Sequence, residues 1–161
     1  MERIWAPWRK TYIVGSRESG CIFCLKPARH EDRETLILER GETCFTIMNI
    51  FPYNNAHLMV APFRHTGKLE DLDDRELFEL FAYVRKWTGI IRKAYHPEGF
   101  NIGMNLGTVA GAGFAEHLHV HLVPRWNGDT NFMPVIGEAK VLSESLEASY
   151  EALLAALRGD L

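Results

Sequence analysis

The chain has 161 residues, 47% of them hydrophobic and 24% charged, the composition of an ordinary soluble protein long enough to form one domain with a real core. A formal net charge of −3 gives no reason to expect a nucleic-acid polymer as partner, although local arginines and helix ends can still bind a small phosphorylated ligand. No apolar run is long enough to span a bilayer, and Met1-Glu2-Arg3-Ile4-Trp5-Ala6-Pro7-Trp8 lacks a signal-peptide core, so a cytoplasmic chain with no membrane partner is expected.

Residues 1–35 read as an irregular N-terminal segment carrying Cys21-Ile22-Phe23-Cys24. Leu36 to Glu39 and Thr43 to Asn49 read as two strands of a hairpin joined at Arg40-Gly41-Glu42. After the turn-rich Phe51-Pro52-Tyr53-Asn54-Asn55, a third strand runs from Ala56 to Ala61 and is limited by Pro62. Asp73 and Glu76 form a capping box at the start of a helix, whose core stripe is Leu77, Leu80, Phe81, Val84, Thr88 and Ile91. His96-Pro97-Glu98-Gly99 ends that helix. Phe100 to Leu106 alternates as a fourth strand, and a loop with Gly107, Gly111 and Gly113 leads to a histidine-rich strand. A last helix begins near Ser143, with Leu146, Tyr150, Leu153 and Leu157 on one side. The order implies an α+β domain with a mainly antiparallel sheet of about five strands, a long crossover helix and a C-terminal helix. The segments are 1–35, a core of 36–134, and 135–161.

The strongest chemical signal is His117-Leu118-His119-Val120-His121-Leu122-Val123. On a strand the three imidazoles share one face, while Leu118, Val120 and Leu122 enter a core. The outer rings would lie about 13 Å apart, too far for all three to share one zinc ion. At least one ring must do something else. An odd cysteine count argues against a disulfide framework, and Cys44 reads as buried filler. Cys21 and Cys24 have metal-knuckle spacing. A redox pair would want a strand before and a helix after, and neither is evident. Two more ligands are needed from His30, His65, His96 and His117, and pairing of the third strand near the histidine strand would bring His65 and His117 to the cysteines. His57 reads as structural or as support for another imidazole. Residues 105–114, including Asn105, Gly111, Ala112 and Gly113, resemble an anion-binding loop without the Gly-Lys-Ser/Thr of a Walker loop. Beyond the strand, Arg125 could meet phosphate and Trp126 could stack on a base.

Taken together these residues resemble the histidine-triad (HIT) superfamily of nucleotide hydrolases and transferases. Residues 117–123 match its His-φ-His-φ-His-φ-φ run, with φ apolar, at every position, and Asn49 with residues 52–62 resembles its earlier strand pair. Trp5-Ala6-Pro7-Trp8, Asn105-Leu106-Gly107, Ala115-Glu116-His117 and residues 124–129 are most similar to the bacterial diadenosine-tetraphosphate phosphorylase branch. The resemblance implies that His119 is the nucleophile, that His121 contacts the reacting phosphate, that Asn49 holds the ribose, and that Asn105 and the loop backbone hold phosphates. It implies a zinc site of Cys21, Cys24, His65 and His117, structural because four protein ligands leave no open position. No organic cofactor is expected. It also implies a homodimer with a sheet continuous across the interface. One departure stands out: many relatives carry Gln or Ser just before the triad, where this chain has Gly113, Phe114, Ala115 and Glu116.

The expected reaction is cleavage of a dinucleoside polyphosphate at the α-phosphorus through a nucleotidyl-His119 intermediate, with phosphate or water as acceptor. The alternatives are a nucleoside phosphoramidate hydrolase, a metalloenzyme using triad histidines as ligands, and a nucleotide-binding dimer without turnover.

Overall fold

The computed structural model describes residues 20–130 and 142–160. Its five strands are β1 (Ile37–Arg40), β2 (Cys44–Met48), β3 (Leu58–Pro62), β4 (Gly99–Gly103) and β5 (Val120–Arg125). They form one antiparallel sheet in the order β1-β2-β3-β5-β4. Among the described residues the α-helices are α1 (Ile22–Ala28), α2 (Asp32–Thr35), α3 (Asp74–Tyr95) and α4 (Leu146–Arg158). This is the expected α+β architecture, with α3 as the crossover between β3 and β4.

The register explains how the sheet divides its side chains. Ile47 pairs with Met59 and Met59 with His121, so these residues share one face. Ile37, Phe45 and Ala61 join them there, and Phe23 from α1 closes the cluster. The opposite face carries Met48, Leu58, Val60, Val120 and Leu122 against α3 and α4, through Trp87, Ile91, Tyr150 and Leu153 near one end and Leu80 and Val84 near the other. Cys44 is fully buried in that second layer, as expected of filler.

The capping box is present: the Asp73 carboxylate accepts from the Glu76 amide at 2.8 Å, and the Glu76 carboxylate accepts from the Asp73 amide at 3.0 Å. The stripe of α3 is rotated from the one expected. Leu80, Val84, Trp87 and Ile91 are buried, while Phe81 is 48% exposed. The N-terminal expectation needs a larger correction. Residues 22–28 and 32–35 are helical rather than irregular. Arg40 reaches back from β1 to the Asp32 carboxylate at 2.7 Å and the Pro27 carbonyl at 2.9 Å, and so holds both short helices against the sheet. Residues 1–19, with Trp5-Ala6-Pro7-Trp8, lie outside the described residues. Among the described residues, no helix is long and apolar enough to cross a membrane.

Candidate active site and metal knuckle

The histidine row departs from a regular strand. β5 starts only at Val120, because the Leu118 amide donates to the Thr66 carbonyl at 2.7 Å instead of entering the ladder. Leu118, Val120 and Leu122 are buried as expected. His117, ahead of the strand, is turned away from its two successors and towards the cysteines.

His117 Nε2–H donates to the Pro62 carbonyl at 2.8 Å, which leaves Nδ1 with a lone pair. That nitrogen lies 3.3 Å from Cys21 Sγ, 3.6 Å from Cys24 Sγ and 3.3 Å from His65 Nδ1, and His65 Nδ1 lies 3.4 Å from Cys24 Sγ. One lone pair cannot satisfy three neighbours, so hydrogen bonding does not account for the cluster. All four donor atoms lie within 4.8 Å of one another. A tetrahedral zinc ion with ordinary bond lengths would place sulfur and nitrogen ligands about 3.5 Å apart and two nitrogens about 3.3 Å apart. The donor set and its spacing fit zinc. Of the four histidines considered beside the cysteines, the structure brings His65 and His117 into this group.

Two peptide groups set the proton positions of the other imidazoles. The Tyr53 amide donates to His57 Nδ1 at 3.0 Å, so the proton of His57 is on Nε2. His57 Nε2–H then donates to His121 Nδ1 at 3.0 Å, which puts the proton of His121 on its outward Nε2. His119 Nδ1–H donates to the His117 carbonyl at 2.9 Å, which leaves the lone pair of Nε2 as its second valence. The rings of His119 and His121 meet edge to face at 4.9 Å. One row thus presents a nucleophilic nitrogen beside a hydrogen-bond donor.

Electrostatics keep these rings uncharged. Burial, then the neighbouring His121 and His119, pushes His57 down to about 3. Burial and His119 push His121 down to about 4. Burial also lowers His119, against the opposing pull of its bond to the His117 carbonyl, and it lowers His117. At neutral pH the row is therefore neutral imidazole, the form that can attack or donate without repelling its neighbours.

The other expected residues are placed less simply. Asn49 uses its side-chain carbonyl to accept from the Phe51 amide at 2.9 Å and turns its NH2 towards His57. Asn105 donates to the Gly111 carbonyl at 3.3 Å and so braces the glycine loop. Within that loop Thr108–Ala110 make one tight turn, closed by Gly111 at φ 88°, where a side chain would be strained. Ala112 and Gly113 continue it to the triad. Arg125 is four residues along β5 from His121, about 13 Å, and is bound to Asp129 and Asn101. Trp126 donates to the Tyr95 carbonyl at 3.2 Å and lines a cavity of about 670 Å³ with Asn54, Asn127 and Glu144. The structure brings neither Arg125 nor Trp126 to the His119 ring within one chain.

Three contributors escaped the sequence reading. Phe23 lies between the two cysteines, is 1% exposed, and stacks on His119 with ring centroids 4.7 Å apart and planes 25° apart. Tyr53 supplies the amide that orients His57 and stacks on its ring at 4.9 Å. Gly67 packs so closely on the triad approach that an added Cβ would stand 2.2 Å from the Ala115 carbonyl oxygen. For Phe23 the only available signal was its position inside the cysteine pair.

The comparisons with known proteins agree with this geometry. The HIT domain matches residues 29–128. The chain is 42% identical over 154 residues to AP-4-A phosphorylase of Mycobacterium tuberculosis, covering 91% of this chain and 79% of that protein. Among solved structures it is similar to a Zn-bound histidine triad family protein from Mycobacterium smegmatis, with TM-score 0.70 and 27% identity over 87% of this chain and 94% of that one. It is also similar to a hypothetical histidine triad nucleotide-binding protein from Sulfolobus tokodaii, with TM-score 0.68 and 28% identity over 86% and 90% of the two chains. The fold class is thus an α+β domain built on one antiparallel sheet, with the imidazole row at one end of β5. The chain belongs to the HIT family.

Proposed function

We propose that this HIT enzyme cleaves dinucleoside polyphosphates of the diadenosine tetraphosphate type at the α-phosphorus, through a covalent nucleotidyl-His119 intermediate that phosphate or water then resolves. The observation that carries this reading is the bond from His119 Nδ1–H to the His117 carbonyl, because it commits the lone pair of Nε2 to attack. The 42% identity to a protein named AP-4-A phosphorylase supports the substrate class.

In this reading His121 Nε2–H donates to a non-bridging phosphoryl oxygen, and His57 holds His121 in that tautomer. Backbone amides of Gly111, Ala112 and Gly113 hold the phosphate chain, with Asn105 bracing the loop. Asn49 is at the ribose end. Arg125, on the same face of β5 as His121, takes the outer phosphates. Trp126 serves the distal nucleoside only if that nucleoside reaches the cavity beyond β5. Cys21, Cys24, His65 and His117 hold a structural zinc ion, which when bound fixes the segment leading into the triad. The enzyme works as a homodimer in the cytoplasm, the outer edge of β4 and its 46%-exposed Ile102 offering a surface for the second copy.

Product analysis on diadenosine tetraphosphate tests the reaction. Phosphorolysis yields ATP and ADP, and hydrolysis through the same adduct yields ATP and AMP. Two ADP molecules would mean cleavage at another phosphorus and would overturn the proposal. His119→Ala should bind nucleotide and lose roughly a thousandfold or more in kcat. A nucleoside phosphoramidate turned over faster than the dinucleotide would favour the phosphoramidase reading instead.

A further inference from the structure

Attack by His119 changes the charge of its own ring. Nδ1 keeps its proton against the His117 carbonyl while the lone pair of Nε2 forms the N–P bond. The P–O bond to the departing nucleotide breaks, and its electron pair leaves with that nucleotide. The ring, now substituted at both nitrogens, is an imidazolium with one delocalised positive charge. Attack on phosphorus by a phosphate oxygen, or by water with release of one proton to solvent, then breaks the N–P bond and returns the pair to Nε2. The cation is made in the first step and consumed in the second.

One face of that ring is covered. Phe23 is stacked on it, nearly parallel and 4.7 Å away, and is itself 1% exposed. Phe114 packs on Phe23 edge to face at 5.9 Å, which fixes the phenyl plane. An aromatic face carries negative quadrupole density and attracts a cation within about 6 Å of its centroid, most strongly where water is excluded. A neutral imidazole gains little of this attraction. We infer that Phe23 is a catalytic residue: its π face stabilises the His119 imidazolium that the nucleotidyl transfer creates, selectively over the neutral resting ring. The inference rests on the covalent His119 reading and adds to it a source of transition-state stabilisation that no polar side chain supplies. It also gives a chemical reason for an aromatic residue within the cysteine pair. The knuckle that anchors His117 carries, one residue away, the ring that sits on the nucleophile.

Graded fluorination tests this without altering shape. Phenylalanine at position 23 is replaced by its mono-, tri- and pentafluoro analogues, with Phe23→Leu as an apolar comparison without a π face. Adduct formation is followed in single turnovers of diadenosine tetraphosphate, with alkaline quenching and mass measurement of the nucleotidyl-protein. The expected result is a stepwise fall in the adduct-forming rate constant, reaching roughly 5- to 30-fold for the pentafluoro protein, with nucleotide affinity, zinc content and melting temperature unchanged. A flat series overturns the inference. So does a series in which affinity falls while the rate constant holds, because Phe23 would then serve the base rather than the ring. If the unmodified protein forms no adduct at all, the covalent reading itself fails, and that outcome is distinguishable from both.

Discussion

His57 is completely buried and bonded at both ring nitrogens, and its burial beside two other imidazoles holds its protonation down to about 3. In the unfolded chain the same group titrates near 6.5. Between these values the unfolded state takes up a proton that the folded state refuses. The contribution of His57 to stability is therefore whole above the unfolded value and is lost progressively as pH falls from about 6.5 towards about 3. From pH 7 to pH 5 the loss from this one residue is about 2 kcal/mol. The assay is urea unfolding at both pH values for the wild-type protein and for His57→Gln, which cannot titrate there. The wild type should lose about 2 kcal/mol more than the variant over this interval. The proposed metal knuckle is common to both proteins, so any acid sensitivity of its own cancels in the comparison. Equal losses in the two proteins would refute the argument, as would an NMR titration placing His57 near its ordinary value.

Three further substitutions probe other parts of the structure. Cys24→Ser should leave less than one zinc per chain by elemental analysis and lower the unfolding free energy by several kcal/mol, the scale of a structural zinc; full zinc content with wild-type stability would remove the knuckle from the list of metal sites. Gly67→Ala forces a methyl group against the Ala115 carbonyl, so it should cost about 1–3 kcal/mol by urea unfolding and reduce kcat through displacement of the triad approach. Asp73→Ala removes the acceptor for the Glu76 amide at the start of α3 and should cost about 1 kcal/mol with turnover at 25 °C unchanged; a drop in turnover would tie α3 to the site in a way its position does not suggest.

What the sequence discloses about this fold depends on whether a residue's partner is near or far along the chain. The capping box of α3 involves residues three apart and was legible in full. The alternation of Leu118, Val120 and Leu122 marked the buried side of the triad for the same reason. The stripe of α3 was read with Phe81 inward, because periodicity does not reveal that the neighbouring Leu80 and Val84 meet β3 and β5 more squarely. α1 was missed: it has seven residues, includes Pro27, and starts at Cys21 without a side-chain cap, so it lacks the usual start signals. The four proposed metal ligands were legible as residue types, and the family resemblance singled out the set. Their convergence depends on the antiparallel pairing of β3 with β5, which no local pattern encodes. The ribose and phosphate roles of Asn49 and Asn105 came from the family resemblance, and local pattern did not disclose that each side chain is bonded to backbone close by in the chain. Those bonds depend on loop conformation rather than on residue type.

The orientation of His121 traces back through His57 to a main-chain N–H at position 53, a group that has no acid–base equilibrium in the working range and no rotamer to change. The polarity of this relay is thus set by the course of the backbone, and the side chain at 53 has no vote in it. A substitution at 53 other than proline keeps that N–H while removing the ring that stacks on His57 at 4.9 Å, so the direction of the outermost hydrogen and the packing of that wall are set by separate parts of one residue.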